Sequence, residues 1–176
     1  TAKISATSLN AALTPTFGTP TRTADGYTVQ ISNYSSAYTW AGTATASGVV
    51  AISNTGLVTV TGVAANTAST TTVTTTRTGY VEGTAPVTGT SLNAALTPTF
   101  GATTPTADGF TVQISNYSAS YTWAGTATAS GSVAISGSGL VTVTGVAAGT
   151  ESTATITTTR TNYVGGSATV TATSTP

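Results

Sequence analysis

The chain has almost no side chains suited to acid–base, redox or metal chemistry. Its 176 residues include no cysteine, histidine or methionine, and only four basic and four acidic side chains. Without cysteine there is neither a disulfide framework nor a thiolate metal site. Without histidine, no serine or threonine has the usual base that activates a hydroxyl for nucleophilic attack. We therefore predict that the protein is not an enzyme and uses no cofactor and no metal.

The scarcity of charge also restricts the partners. The formal net charge is zero, and the four cations are Lys3, Arg22, Arg77 and Arg160. They are too few and too scattered to neutralise a run of phosphates, so nucleic acid is not an expected partner. No apolar run approaches the roughly 18–20 residues of a membrane-spanning helix, so no membrane insertion is expected. Because the chain begins with Thr1, we expect a processed form or a piece of a longer array.

What the chain has in abundance is repetition. Residues 8–90 and 91–173 align without a gap at an offset of 83, with 65 of the 83 positions identical. A third, partial copy is present at residues 1–7, which match 84–90 and 167–173. A period of this length predicts two small domains, residues 1–90 and 91–176, with 1–7 as an extra strand. That strand is either the cut edge of a longer array or a piece that reaches a neighbouring copy.

The composition of each period predicts an all-β fold. Threonine alone accounts for 47 residues, and straight-chain helix formers are scarce. Tyr27, Val29 and Ile31 alternate with polar residues, as in a strand with one solvated face, and Asp25-Gly26 before them is a turn signal. The threonine-rich stretch 70–78 also predicts a strand. Further short strands, with an opening one at 13–15 that contains Pro15, bring the total to about seven per period, which is typical of an antiparallel β-sandwich.

The differences between the two copies cluster in a few short segments. In the first copy these lie around residues 19–22, 36–37, 54–55 and 66–68, and we interpret them as turns. Predicted strand interiors are unchanged or exchange similar residues, as in Tyr27/Phe110 and Val73/Ile156. The pattern of differences therefore favours the same strand positions as the periodicity.

The later part of each period resembles a known family. The run at 139–150, followed by alternating threonine and apolar residues and ending at 165–170, resembles the second half of a fibronectin type III or bacterial immunoglobulin-like repeat. The similarity covers the last 35–40 residues of each period. It implies two tandem immunoglobulin/fibronectin III-like β-sandwich domains of about seven antiparallel strands each. It also implies the settings in which such repeats occur, bacterial surface proteins and phage virions.

A few residues are candidates for contacts with a partner. Arg77 and Arg160 follow threonine runs and can pair with a carboxylate or lie across a tyrosine ring, although solvated strand positions are the simpler interpretation. Tyr34 and Tyr117 fall at a predicted strand end, where exposed rings can contact a partner or a glycan. Tyr38 and Trp40 share one strand face and are interpreted as core residues.

Two other recurring features have simple structural interpretations. Asn33 and Asn116 match the N-glycosylation pattern Asn-x-Ser/Thr, but a turn asparagine is the simpler interpretation. Asp25 and Asp108 are the only acids that recur in both copies, and we interpret them as turn residues. A single carboxylate in each copy provides neither an acid–base pair nor a calcium site.

These observations leave three hypotheses for function. The first is an extracellular spacer or stalk module of a surface repeat protein, because the copies are near-identical and no flexible Gly/Ser linker lies between them. The second is a virion decoration protein or a self-assembling filament component, since low charge reduces repulsion between copies. The third is an adhesin-type module that binds a glycan or a protein. The expected partners are neighbouring repeats, other copies of the chain, or a surface, capsid or glycan.

Overall fold

The computed structural model describes residues 7–176, so the predicted extra strand at 1–7 lies, apart from Thr7, outside the described residues. Residues 7–176 contain fourteen β-strands and no helix. Contacts divide the chain between Asn93 and Ala94 into two compact units. This division falls three residues after the boundary that the sequence predicts.

The first unit is a sandwich of two antiparallel sheets. One sheet has the strand order β1-β2-β5-β4 and the other β3-β6-β7. Constant-type immunoglobulin sandwiches have the same arrangement of strands. The predicted all-β sandwich is thus confirmed. Its strands are β1 Thr21–Thr23, β2 Gly26–Gln30, β3 Thr39–Ala44, β4 Val49–Ile52, β5 Leu57–Thr61, β6 Ala68–Thr76 and β7 Gly83–Thr90.

The second unit repeats this arrangement. Its sheets have the orders β11-β12-β9-β8 and β10-β13-β14, again with antiparallel pairing throughout. Its first strand is longer than β1 and shows a register shift between Phe100 and Thr103. The strands are β8 Phe100–Thr106, β9 Gly109–Ile114, β10 Thr122–Ala127, β11 Ser132–Ile135, β12 Leu140–Thr144, β13 Glu151–Thr159 and β14 Gly166–Thr173.

The core of each unit lies between its two sheets. In the first unit the alternating residues Tyr27, Val29 and Ile31 are buried, as their spacing predicts. They pack with valines of β5 and with Val73, which comes from the opposite sheet. The second unit buries the corresponding set, listed here in chain order: Phe110, Val112, Ile114, Val141, Val143, Val146, Ala154 and Ile156.

Threonine and serine side chains also face the core along β6. Ser69, Thr71 and Thr75 alternate with outward-facing residues and are buried. Each of these three hydroxyls has a hydrogen-bond partner: Ser69 Oγ donates to Thr45 O at 2.8 Å, Thr75 Oγ1 donates to Leu13 O at 2.6 Å, and Thr71 Oγ1 lies 2.7 Å from Tyr27 Oη. Buried hydroxyls are costly only when unpaired, so a strand built mainly of threonine can line a small core.

The predicted opening strand at 13–15 is wrong. This segment pairs with no strand because its carbonyls are bonded by side chains: Leu13 O accepts from Thr75 and Thr14 O from Asn33 Nδ2. Pro15 has no N–H for a ladder and is buried instead. The first strand is β1, in the segment where the sequence predicts a turn, and it pairs with β2 across the Asp25-Gly26 turn.

Two residues beyond β7 still belong to the first unit. Ser91 is fully buried, donates through Oγ to Ala64 O at 2.5 Å and accepts from Thr67 N at 3.1 Å. Leu92 N donates to Thr23 O at 2.8 Å. At the other end, Asn10 N donates to Gly79 O at 2.8 Å. The hydrogen bonds of the first unit therefore extend from Asn10 to Leu92, and Ser174 closes the second unit as Ser91 closes the first.

Candidate binding site

An arginine and two tyrosines meet at one end of the first unit. Tyr38 directly precedes β3, Arg77 directly follows β6, and Tyr80 lies in the loop between β6 and β7. In a sandwich with this strand order the corresponding two loops lie at the same end of the domain. We call Tyr38, Arg77 and Tyr80, with their counterparts Tyr121, Arg160 and Tyr163, the Arg–Tyr clusters.

The geometry of the cluster is that of an arginine packed on aromatic faces. The Cζ atom of Arg77 lies 4.6 Å from the ring centroid of Tyr80 and 5.3 Å from that of Tyr38. The two rings meet edge to face, with centroids 5.6 Å apart. At an exposed position each such cation–π contact is worth about 0.5–1 kcal/mol. The guanidinium is thus held in one place while remaining solvent-accessible.

The second unit reproduces this cluster closely. Arg160 Cζ lies 4.6 Å from the Tyr163 ring and 5.3 Å from the Tyr121 ring. One contact differs: Arg160 Nη1 donates to Ser120 Oγ at 3.5 Å, whereas the first unit has Ala37 at that position. Within residues 7–176 no carboxylate lies at ion-pair distance from either guanidinium.

The loop that carries Tyr80 is fixed by local hydrogen bonds. Tyr80 N donates to Arg77 O at 3.1 Å, which closes a turn in which Gly79 has a φ of +82°. Gly79 O accepts from both the backbone N and the Nδ2 of Asn10. In the second unit Asn162, with a φ of +65°, takes the place of the glycine, and asparagine is one of the few residues that tolerate this conformation.

A shallow pocket of about 260 Å³ adjoins the first cluster. Besides Arg77 and Tyr80, its lining consists of Glu82 and three threonines, Thr39, Thr76 and Thr78. A guanidinium, a carboxylate, a phenol and several hydroxyls suit a hydroxyl-rich ligand such as a sugar, with the tyrosine ring as an apolar face. The second unit has Gly165 where the first has Glu82, so this carboxylate is specific to the first unit.

Tyr34 and Tyr117, the other predicted contact residues, lie in a different setting. Each is half-buried and stacks on a tryptophan, with centroids 5.3 Å apart for Tyr34 and Trp40 and 5.4 Å for Tyr117 and Trp123. Trp40 Nε1 donates to Ser35 O at 2.9 Å, and both rings pack against the core. The buried part of each Tyr34 and Tyr117 ring therefore contributes to the packing of its sandwich core.

Asn33 and Asn116 bind the preceding segment of their own unit. Asn33 Nδ2 donates to Thr14 O at 2.8 Å and its Oδ1 accepts from Thr16 N at 3.0 Å. Asn116 makes the same two bonds to Thr97 and Thr99. The side-chain amide therefore replaces a strand in fixing this segment, and the nitrogen that a glycan would occupy already donates one hydrogen bond.

The remaining candidate residues, Asp25 and Asp108, both lie at turns. Asp25 and Asp108 are exposed at the turn before β2 and β9, and Thr106 Oγ1 lies 3.4 Å from Asp108 Oδ1. Among residues 7–176 no group of three acidic, histidine or cysteine side chains is placed to hold a metal ion. No helix in that range is long and apolar enough to cross a membrane.

The sequence identifies the arginines of the clusters but not their tyrosine partners. Tyr38 is interpreted as a core residue because it is two residues from Trp40, yet it is half-buried and contacts Arg77. A signal was present: Tyr38, Arg77 and Tyr80 all recur at the offset of 83 although they are not strand-core residues. Only the fold brings Tyr38 next to residues some forty positions later in the chain.

Comparison with known proteins does not assign this chain to a family. No protein-family model matches it, and no curated protein matches it at a significant level.

Proposed function

We propose that the chain is a non-enzymatic, extracellular structural repeat that serves as a spacer or stalk module of a surface protein. The observation that carries this proposal is the short connection between two self-contained sandwiches. Leu92 is hydrogen-bonded within the first unit and Leu96 within the second, so at most three residues, 93–95, lie between these two anchored positions. Three residues span at most about 10 Å, far less than a flexible linker.

The composition supports the same role. The residues that recur between the copies mainly build the sandwich: core residues, buried hydroxyls and the asparagines that bind backbone. A spacer has to fold stably and needs no catalytic or binding residues of its own, and the recurring residues of both copies fit that requirement. The resemblance to immunoglobulin-like repeats of bacterial surface proteins favours a location outside the cell, with the virion as the alternative.

Single-molecule pulling on the whole chain tests the spacer. A stalk module has to stay folded under load, so we expect two separate unfolding events. Each should release the 83 residues from Asn10 to Leu92 or their counterparts, up to about 270–300 Å of extended chain. A chain that extends smoothly, without these events, would contradict the proposal.

A second candidate function is glycan binding, favoured by the Arg–Tyr cluster and its pocket. A titration with oligosaccharides selected on a glycan array should show saturable binding that the double variant Arg77→Gln/Arg160→Gln abolishes, because the second unit carries the same cluster. Arg22→Gln is the matched control, because Arg22 is an exposed arginine on β1 and is not part of an Arg–Tyr cluster. Glu82→Gly introduces the residue that the second unit has at this position. Loss of binding in this variant would show that the pocket needs the carboxylate, and unchanged binding would show that it does not. If no glycan on the array bound, the glycan-binding function would be rejected and the spacer proposal would be unaffected.

The self-assembly alternative makes its own prediction. A filament or virion component should associate at rising concentration, since each sandwich has open edge strands such as β3 and β4. Sedimentation velocity across a wide concentration range tests this directly, and a strictly monomeric chain would exclude it.

A further inference from the structure

The last strands of the two units have similar sequences and identical pairing. β7 and β14 share five of their eight residues. Each pairs with the long threonine-rich strand of its unit in the same register, Gly83 with Thr75 and Gly166 with Thr158. The pairing register therefore does not distinguish them. Exchange of such strands between neighbouring repeats, or between chains, is a characteristic failure of repeat proteins.

A close contact in the first unit does distinguish them. The ring of Tyr27 lies directly on the backbone of Gly89 in β7, and a Cβ atom on Gly89 would be 2.2 Å from Cγ of Tyr27. The ring cannot move away without loss, because Tyr27 Oη donates to Val87 O at 3.1 Å and lies 2.7 Å from Thr71 Oγ1. The first unit therefore requires glycine at this position of its last strand.

The second unit differs at all three of these positions together. Tyr27, Thr71 and Gly89 correspond to Phe110, Ala154 and Ala172. Phe110 has no hydroxyl that anchors its ring across the sandwich, and Ala172 packs against the core. If β14 took the place of β7, the methyl of Ala172 would meet the Tyr27 ring. If β7 took the place of β14, Gly89 would leave that methyl's space empty.

The segment at residues 1–8 differs from β7 at the same position as β14 does. Residues 1–8 match the last strand of a unit, and Ala6 stands where β7 has Gly89. Val81 N donates to Asn10 O, so Asn10 lies beside the start of β7, and the three residues from Thr7 to Asn10 span at most about 10 Å, less than the roughly 23 Å length of β7. The segment can therefore compete only for the first unit of another copy of the chain. By size, an alanine brought to the position of Gly89 by this segment would meet the Tyr27 ring, as Ala172 would.

We propose that Tyr27, Thr71 and Gly89 restrict the first sandwich to its own last strand, and that Phe110, Ala154 and Ala172 form the contrasting set of the second. The two sets keep near-identical neighbours from exchanging strands. Overpacking of the kind that alanine would cause against Tyr27 shifts an equilibrium between correct and exchanged strands by about 5–30-fold.

Four versions of the whole chain test this proposal. The native chain has two different sets. Tyr27→Phe/Thr71→Ala/Gly89→Ala gives both units the second set, and Phe110→Tyr/Ala154→Thr/Ala172→Gly gives both the first. The sixfold variant that carries all these substitutions exchanges the sets but keeps them different. Each chain is refolded from denaturant over a range of concentrations and then diluted, so that ordinary association reverses and strand-exchanged dimers remain trapped.

The expected result is a dimer fraction about fivefold or more higher in both triple variants than in the native and sixfold chains, measured by size-exclusion chromatography with light scattering. The sixfold chain controls for stability, because it carries every substitution of both triple variants. Equal dimer fractions in all four chains would overturn the proposal. So would a sixfold chain that dimerises as much as the triple variants.

Discussion

The hydrogen bond between Tyr27 and Thr71 is the clearest place to test how the small core is held together. The Tyr27 hydroxyl donates its proton to Val87 O, so Thr71 is the donor in the 2.7 Å contact between the two side chains. Thr71 Oγ1 is buried and has no other hydrogen bond among the described residues. Removing the tyrosine hydroxyl alone therefore leaves a buried hydroxyl without a partner.

The magnitudes follow from this arrangement. Tyr27→Phe should lower the free energy of unfolding of the first unit by about 2–3 kcal/mol, from the lost hydrogen bonds and the orphaned Thr71 hydroxyl. Thr71→Ala should cost about 1.5–2 kcal/mol, because the tyrosine hydroxyl keeps Val87 O as its acceptor. The double variant should cost clearly less than the sum, with a coupling of about 1–1.5 kcal/mol. Phe110 and Ala154 already form this apolar pair in the second unit.

Guanidinium denaturation followed by tryptophan fluorescence measures these values. The work is best done in a Trp123→Phe background, so that Trp40 reports on the first unit alone. Thr72→Ala, on the solvent-facing side of the same strand, controls for the intrinsic strand preference of threonine over alanine. Additive effects of Tyr27→Phe and Thr71→Ala, or a Thr71→Ala cost equal to that of Thr72→Ala, would refute the reasoning.

Three further predictions concern other parts of the units. Ser91→Ala should destabilise the first unit by about 1–3 kcal/mol in the same assay, because it removes a buried hydroxyl that both donates and accepts a hydrogen bond. Ser8→Ala is the control, since Ser8 is exposed at the equivalent position, and it should have no measurable effect. Gly56→Ala should cost more than Gly62→Ala by about 1–3 kcal/mol: both glycines have a φ near +80°, but only at Gly56 would the new Cβ meet a ring, 2.6 Å from Tyr34 Cγ. Equal costs would show that the Tyr34 ring moves aside freely. Finally, the chain has neither histidine nor cysteine, so the free energy of unfolding should be nearly constant between pH 6 and 8 and insensitive to reducing agents. A steep change in that free energy across this pH range, measured by equilibrium denaturation, would contradict the prediction.

The sequence predicts the parts of the fold that depend on local pattern. The alternation of Tyr27, Val29 and Ile31 identifies core residues because a strand directs every second side chain to one face. The segment at 13–15 was mispredicted because its bonds go to Asn33 and Thr75, side chains distant in sequence. The tyrosines of the Arg–Tyr cluster are not predicted for a similar reason, because Tyr38 and Arg77 become neighbours only when β3 pairs with β6, which places Thr39 opposite Thr76.

The hydrogen bonds of Asn10 and Leu92 also settle where a repeat begins. A period has no starting point of its own, because any window of 83 residues describes the repetition equally well. The bonds select one such window, residues 10–92. In this frame residues 1–9 correspond in sequence to 84–92, the closing part of the first unit. A single repeat excised as residues 8–90 would carry the exposed Ser8 and Leu9 and lack the buried serine that closes its sandwich.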